Sequence, residues 1–227
     1  MLPEDVQLDN SVSKDKRLKI TEIFYSLQGE SNTVGIPTIF IRLTGCPLRC
    51  QYCDTEYAFH GGEWQSFDSI LNQIKKYPTR YITVTGGEPL AQKKCVNFLK
   101  QLCDANYQVS LETSGAIDIS NVDTRVVKVL DTKTPGSGEC EKNLYSNYSR
   151  LNSNDQIKFV ICNRVDYDWA KKLILDYKLT EQCEILFSVS HHELAAKQLA
   201  DWILEDGLVV RFQVQLHKIL WGDEHGR

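Results

Sequence analysis

The residues best suited to chemistry are three cysteines in Gly45-Cys-Pro-Leu-Arg-Cys-Gln-Tyr-Cys-Asp-Thr55, spaced Cys-x3-Cys-x2-Cys as Cys46, Cys50 and Cys53. A loop this short can curl and aim three thiolates at one centre. A cubane iron–sulfur cluster takes one thiolate per iron, so three protein ligands leave one iron open to a ligand from outside the chain. Zinc is the alternative, but a structural zinc site wants four closed ligands, commonly from paired Cys or His arms, and no second arm accompanies this one. A third reading makes them buried cysteines packing as small hydrophobes. Their neighbours Gly45, Pro47, Arg49 and Asp54 are loop composition and argue against it. Cys95, Cys103, Cys140, Cys162 and Cys183 lie far apart with no pairing pattern and read as structural thiols.

Further polar motifs follow apolar runs. In Thr85-Gly-Gly-Glu-Pro89, Gly86 and Gly87 let backbone approach a ligand closely, and Glu88 suits a cation; a plain strand-to-helix turn is the other reading. Thr113 and Ser114 of Glu112-Thr-Ser-Gly115, and Asp131, Thr132 and Lys133, offer hydrogen bonds to a ligand or serve as caps and turns. Arg42 sits in the otherwise apolar Thr38-Ile-Phe-Ile-Arg-Leu-Thr44, on the same strand face as Phe40 and Thr44. A buried guanidinium must be paired, either with Glu22 or Glu30 or with a substrate carboxylate held in bidentate fashion; its place just before the cysteine loop favours the substrate. His191, His192 and Glu193 are adjacent rather than spaced as ligands, and read as structural or surface residues.

These groups need elements to position them. Short β-branched runs at Thr38 to Thr44, Tyr81 to Thr85, Gln108 to Glu112, Arg125 to Asp131, Gln156 to Ile161, Glu184 to Val189 and Arg211 to Leu216 read as strands. Ser66 to Lys76, Pro89 to Asn106, Tyr167 to Tyr177 and Leu194 to Glu205 carry apolar residues at helical spacing. Alternating strand and helix predicts an α/β fold of βαβ units. Six or seven strands are too few for the eight of a closed barrel, which predicts an incomplete TIM-type barrel of mostly parallel strands with flanking helices. The polar motifs fall just after the strands, where ligand sites form in parallel sheets, so they converge on one mouth.

The 227 residues suit one domain over 1–227, with 1–19 a polar N-terminal extension. At 42% hydrophobic and 25% charged the composition is that of an ordinary globular chain. No stretch resembles the roughly 20 apolar residues of a membrane span, and no secretory signal opens the chain. A cytoplasmic, reducing setting is therefore expected, in which the thiols stay free. The formal net charge of −4, with no basic face, disfavours direct nucleic-acid binding.

The cysteine spacing, with Tyr52 before the last ligand, resembles the radical S-adenosylmethionine (SAM) superfamily, whose radical SAM core carries a [4Fe–4S] cluster with SAM on the open iron. Thr85 to Pro89 resembles that superfamily's GGEP motif. Together with Thr21-Glu-Ile-Phe-Tyr-Ser-Leu-Gln-Gly-Glu30, Val34-Gly-Ile-Pro37, Cys53-Asp-Thr55 and Gln215-Leu-His-Lys218, the chain is similar to the 7-carboxy-7-deazaguanine synthase family. The resemblance is strongest before Gly115 and spans Glu22 to about His217.

It implies conversion of 6-carboxy-5,6,7,8-tetrahydropterin to 7-carboxy-7-deazaguanine with release of ammonia, a step toward queuosine. Carried over by position, it implies pterin contacts from Leu27, Gln28, Gly29, Glu30, Thr85 and His217, with Arg42 on the pterin carboxylate. It implies SAM contacts from Gly86, Gly87, Glu88, Thr113, Ser114, Asp131, Thr132 and Lys133, and Mg²⁺ at Thr55. A homodimer and an electron donor such as flavodoxin or ferredoxin are implied partners. In some relatives the terminus reaches the substrate, which makes the tail Gly222 to Arg227 a candidate for the same contact. The rival within the superfamily is an activase that generates a glycyl radical on a partner enzyme.

Overall fold

A computed structural model describes residues 16–191, 193–224 and 226 of the chain. Its frame is one sheet in the order β3-β1-β2-β4-β5-β6-β7-β8-β9. The strands are β1 (Arg17–Leu27), β2 (Pro37–Leu43), β3 (Glu63–Ser66), β4 (Tyr81–Gly86), β5 (Gln108–Thr113), β6 (Val127–Asp131), β7 (Gln156–Ile161), β8 (Glu184–Val189) and β9 (Arg211–Gln213). From β2 through β9, omitting β3, every neighbouring pair is parallel. These are the seven strands expected, in an open, partial barrel. Two antiparallel strands, β1 and β3, extend the β2 edge, so the extension expected over 1–19 is already strand from Arg17.

Five helices are described: α1 (Phe67–Ile74), α2 (Cys95–Asp104), α3 (Arg164–Tyr177), α4 (Ala196–Asp206) and α5 (Leu216–Trp221). None is long and apolar enough to cross a membrane. Ser66 and Asn163 cap α1 and α3 by accepting from Ser69 N and Asp166 N, as short polar side chains do at helix starts. The helix expected over Pro89 to Asn106 is split. A single turn at Pro89–Ala91 gives way at Gln92, whose side chain braces the β1–β2 edge by accepting from Lys19 N (2.8 Å) and donating to Lys19 O and Thr44 O (2.9 and 3.0 Å). The strand expected through Leu216 ends at Gln213, which places His217 and Lys218 on α5.

Strand alternation divides the sheet's two faces. Ile39, Ile41 and Leu43, Ile82 and Val84, Val109 and Leu111, Ile157, Phe159 and Ile161, and Ile185 and Phe187 are buried in the apolar core with helix residues such as Phe98, Leu99, Tyr167 and Leu199. The opposite parity is largely polar, with Arg42, Thr83, Thr85, Ser110, Glu112, Asp131, Gln156, Lys158 and Ser188 beside the apolar Phe40, Val160 and Leu186. A two-sided parallel sheet would ordinarily be apolar on both faces, so this inner face is built for something other than a packed core.

The loop after β1 crosses that inner face. Gln28 donates to Thr83 Oγ1 (2.9 Å), Glu30 pairs with Lys158 (2.7 Å), Ser31 N donates to Gln213 Oε1 (2.9 Å) and Asn32 N to Gln156 Oε1 (2.9 Å). Anchored on β4, β7 and β9, the loop backs a cavity of about 590 Å³ at the carboxyl ends of the strands.

Candidate active site

Two close approaches of backbone shape the cysteine loop. Gly45, at φ +99°, accepts from Glu88 N through its carbonyl (2.8 Å), and its own amide donates to Ala58 O (2.8 Å). A methyl group added to Gly87 would meet that Gly45 carbonyl and stand 2.6 Å from Cys46 Cβ. Gly86 similarly lies against the Leu43 backbone, 2.9 Å from its nitrogen to any added Cβ. Gly86 therefore lets the end of β4 close on β2, and Gly87 lets the turn after it touch the cysteine loop, which side chains would prevent.

Cys46, Cys50 and Cys53 are free, partly exposed and all on the wall of the large cavity. They stand within electrostatic reach of one another and of Lys133. Burial pushes each thiol up, Cys50 to about 11, while Lys133 opposes the shift. Among the described residues, no three His, Cys, Asp or Glu side chains are gathered as ligands of a single ion. Three soft sulfur donors opening on one cavity fit a cluster with one iron per thiolate.

Beside the cysteines lie Gly86, Gly87, Thr113, Ser114, Asp131 and Lys133. Lys133 bonds Asp131 Oδ2 (2.9 Å), and its ammonium is 5.9 Å from the centre of the Tyr52 ring. Asp131 Oδ1, Tyr52 Oη and Ser190 Oγ are buried with no partner, and all three residues line the cavity. A buried polar atom without a partner is costly, so these orphans mark where a polar ligand belongs.

Glu88 departs from the expected ligand contact. It is wholly buried, lies off the cavity wall and accepts from Leu90 N (2.8 Å), Thr113 Oγ1 (3.0 Å), Ser114 N (2.7 Å) and Ser114 Oγ (2.6 Å). It braces the β4 turn to the end of β5. Thr132 also faces away, donating its amide to Lys158 O (2.9 Å) and meeting Tyr148 Oη (3.1 Å).

On the other side of the cavity stand Leu27, Gln28, Gly29, Glu30, Arg42, Thr85 and His217. Arg42 has a protein partner: its Nε donates to Glu22 Oε1 at 2.7 Å. The ion-pair reading of Arg42 is thus realised in the fold, although its side chain still faces the cavity. Thr85 Oγ1 donates to Glu112 Oε2 (3.0 Å), and burial pushes the Glu112 carboxyl up, against the pull of Lys158. His217 is held below its ordinary value by burial, which Glu30 and Asp54 oppose. Thr55 Oγ1 donates to Asp54 Oδ1 (2.7 Å); burial pushes Asp54 up, but that bond with Lys158, Lys218 and Arg42 outweighs it and keeps the carboxyl low.

Lys158, Asp54, Ser188 and Gln215 also line the cavity, and sequence reasoning gave neither Lys158 nor Asp54 a role. The signal for Lys158 was its parity with Gln156 in an otherwise apolar strand. His191 and Glu193, read from sequence as structural or surface residues, are exposed and also border the cavity, while His192 lies outside the described residues. Of the tail, Asp223 reaches the wall; residues 225 and 227 lie outside the described set.

Residues 40–130 match the Radical SAM superfamily. A 7-carboxy-7-deazaguanine synthase of Chlorobaculum tepidum is 40% identical over 216 residues, covering 94% of this chain and 98% of that relative. One from Koribacter versatilis is 41% identical over 222 residues, covering 91% and 98%. The crystal structure of QueE from Escherichia coli shares the fold at a TM-score of 0.75 with 22% identity, over 92% of this chain and 99% of that one. The cysteine loop, the Gly86-Gly87 contact and the match along nearly the whole of both chains lead to one conclusion: the chain belongs to the 7-carboxy-7-deazaguanine synthase family of radical SAM proteins.

Proposed function

We propose that the chain converts 6-carboxy-5,6,7,8-tetrahydropterin to 7-carboxy-7-deazaguanine with release of ammonia, in 7-deazapurine and queuosine biosynthesis. The reading includes a [4Fe–4S] cluster on Cys46, Cys50 and Cys53, SAM beside it and Mg²⁺ at Thr55. It also includes a homodimeric, cytoplasmic protein reduced by flavodoxin or ferredoxin. When bound, the cluster and SAM supply one-electron, hydrogen-abstracting chemistry.

The chain's own residues bind, orient and shield. Lys133 offers a cation to the SAM carboxylate, and Asp131, Tyr52 and Ser190 turn unpartnered polar atoms to the same side. Arg42 offers the pterin carboxylate a charged fork. Gln28, Glu30 and a neutral His217 offer donors and acceptors to the heterocycle, since an uncharged imidazole presents one of each. Phe24 and Phe40, stacked at 4.8 Å, line the wall and keep water from reactive species.

One observation carries the proposal: the three cysteines and Arg42 open on a single cavity, so a cluster-bound cofactor and an anionic substrate would face each other. The test is anaerobic reconstitution with iron and sulfide, then SAM, Mg²⁺, a reductant and the carboxytetrahydropterin. Ammonia and a deazapurine acid are expected in equal amounts. Cluster-loaded protein that cleaves SAM yet yields neither product would overturn it and favour the activase.

A further inference from the structure

Strands β1 and β2 run antiparallel with Ile20 opposite Leu43, but Glu22 stands opposite Arg42. Two residues advance on β1 against one on β2, so Thr21 is the extra residue of a β-bulge. Its hydroxyl meets that of Thr44 at 2.7 Å, which ties the bulge down. Without the bulge, Thr21 would oppose Arg42 and Glu22 would oppose Ile41, on the face where Ile39, Ile41 and Leu43 are fully buried. Because side chains alternate along a strand, the single inserted residue moves Glu22 from the apolar face to the cavity face.

There Glu22 Oε1 accepts twice, from Arg42 Nε (2.7 Å) and from Tyr57 Oη (2.8 Å). The guanidinium lies 5.9 Å from the Phe24 ring centre and 5.8 Å from that of Tyr57. Bonding through Nε fixes the plane of the fork and takes up neither of its two terminal nitrogens, the pair that can grip a carboxylate end-on.

We propose that Glu22, placed by the bulge at Thr21 and buttressed by Tyr57, is a positioning residue that orients Arg42 to select a carboxylated heterocycle over its uncharged counterpart. This rests on Arg42 as the carboxylate clamp. Glu22 need not touch the substrate; it removes the rotational freedom of the side chain that does, so affinity is not spent on ordering it at binding.

The probes are 6-carboxypterin and unsubstituted pterin, binding to the cluster-loaded protein with SAM present. In the parent protein the carboxylated probe binds more tightly. Glu22→Ala is expected to weaken 6-carboxypterin about tenfold and leave pterin unchanged, the scale of one charge-assisted hydrogen bond. Arg42→Ala should abolish the preference, and the double variant should lose no more than Arg42→Ala alone, because Glu22 acts only through Arg42. Glu22→Gln keeps an acceptor oxygen and should recover most of the preference, which serves as the test if the alanine variant does not fold. Equal weakening of both probes, no effect on either, no recovery with glutamine or additive losses would overturn the positioning role. A preference that survives Arg42→Ala would overturn the clamp reading itself, and the two failures are distinguished by which single variant is silent.

Discussion

Glu88 holds four donors with two oxygens and sees no solvent. Its residue type, read in sequence, invites a cationic ligand, yet its neighbours take all its capacity before a ligand arrives. Thr113 and Ser114 face the cavity because Glu88 holds them there. In Glu88→Gln one oxygen becomes an amide group that faces donors whichever way it turns. The expected cost is about 1–3 kcal/mol of stability, as for a buried group left unsatisfied, read from denaturant unfolding. SAM affinity should fall with it while iron and sulfide content stay full. A variant that unfolds and binds SAM like the parent would remove Glu88 from this role.

The sequence makes such a carboxylate visible but not its clients, which come from β5, some 25 residues away. The same limit hid Lys158, whose partner Glu30 is 128 residues distant. By contrast, three cysteines within eight residues announce their chemistry locally.

The elements show where periodicity succeeds and where it breaks. β7 and β8 fall where alternation puts them, at Gln156–Ile161 and Glu184–Val189. β1 went unread because its bulge shifts the apolar parity from Leu18 and Ile20 to Ile23, Tyr25 and Leu27, so no single period fits the strand. Alternation did contain the fate of Thr132: between Asp131 and Lys133, it must face the other way.

The short helix α5 was unread too, since six residues carry little periodic signal. It is docked by Leu216 N donating to Gly29 O (3.0 Å) and by His217 packed on Gly29, where an added methyl would overlap the imidazole and stand 3.1 Å from its Cγ. Gly29→Ala should therefore displace His217 from the pterin side of the cavity alone. KM for the pterin is expected to rise about ten- to a hundredfold, the usual penalty for ångström-scale misplacement. SAM binding by equilibrium dialysis should be unchanged; a loss of both would mean that α5 shapes the whole cavity.

At the scale of the molecule, the open barrel lacks the closing strand pairs that would fix its inner diameter, and the β1–β2 loop crosses the gap. Glu30 sits at its centre, paired with Lys158 at 2.7 Å and accepting from Ser188 Oγ at 3.4 Å, while Gln213 donates to that same hydroxyl at 3.1 Å. Burial pulls the Lys158 ammonium down, but Glu30, Asp131 and Glu112 outweigh that and raise it, so the lysine stays charged. Removing one partner strands the other charge: Glu30→Gln and Lys158→Met should each lose about 3–5 kcal/mol, the range for a broken buried pair. The double variant should recover much of that loss because neither charge remains, and it should still fail in catalysis because the pterin side has lost both groups.

The pH dependence follows from Lys158: its ammonium is raised in the fold, so the stability it adds is present below the unfolded lysine value and is lost as pH rises through the folded one. In Glu30→Gln the Lys158 ammonium loses a supporting charge, and the deficit persists through neutral pH and eases only as lysines deprotonate. Urea unfolding of the three variants across pH measures this limb. A double variant no more stable than the singles, with deficits that ignore pH, would show that the brace is shape and not charge.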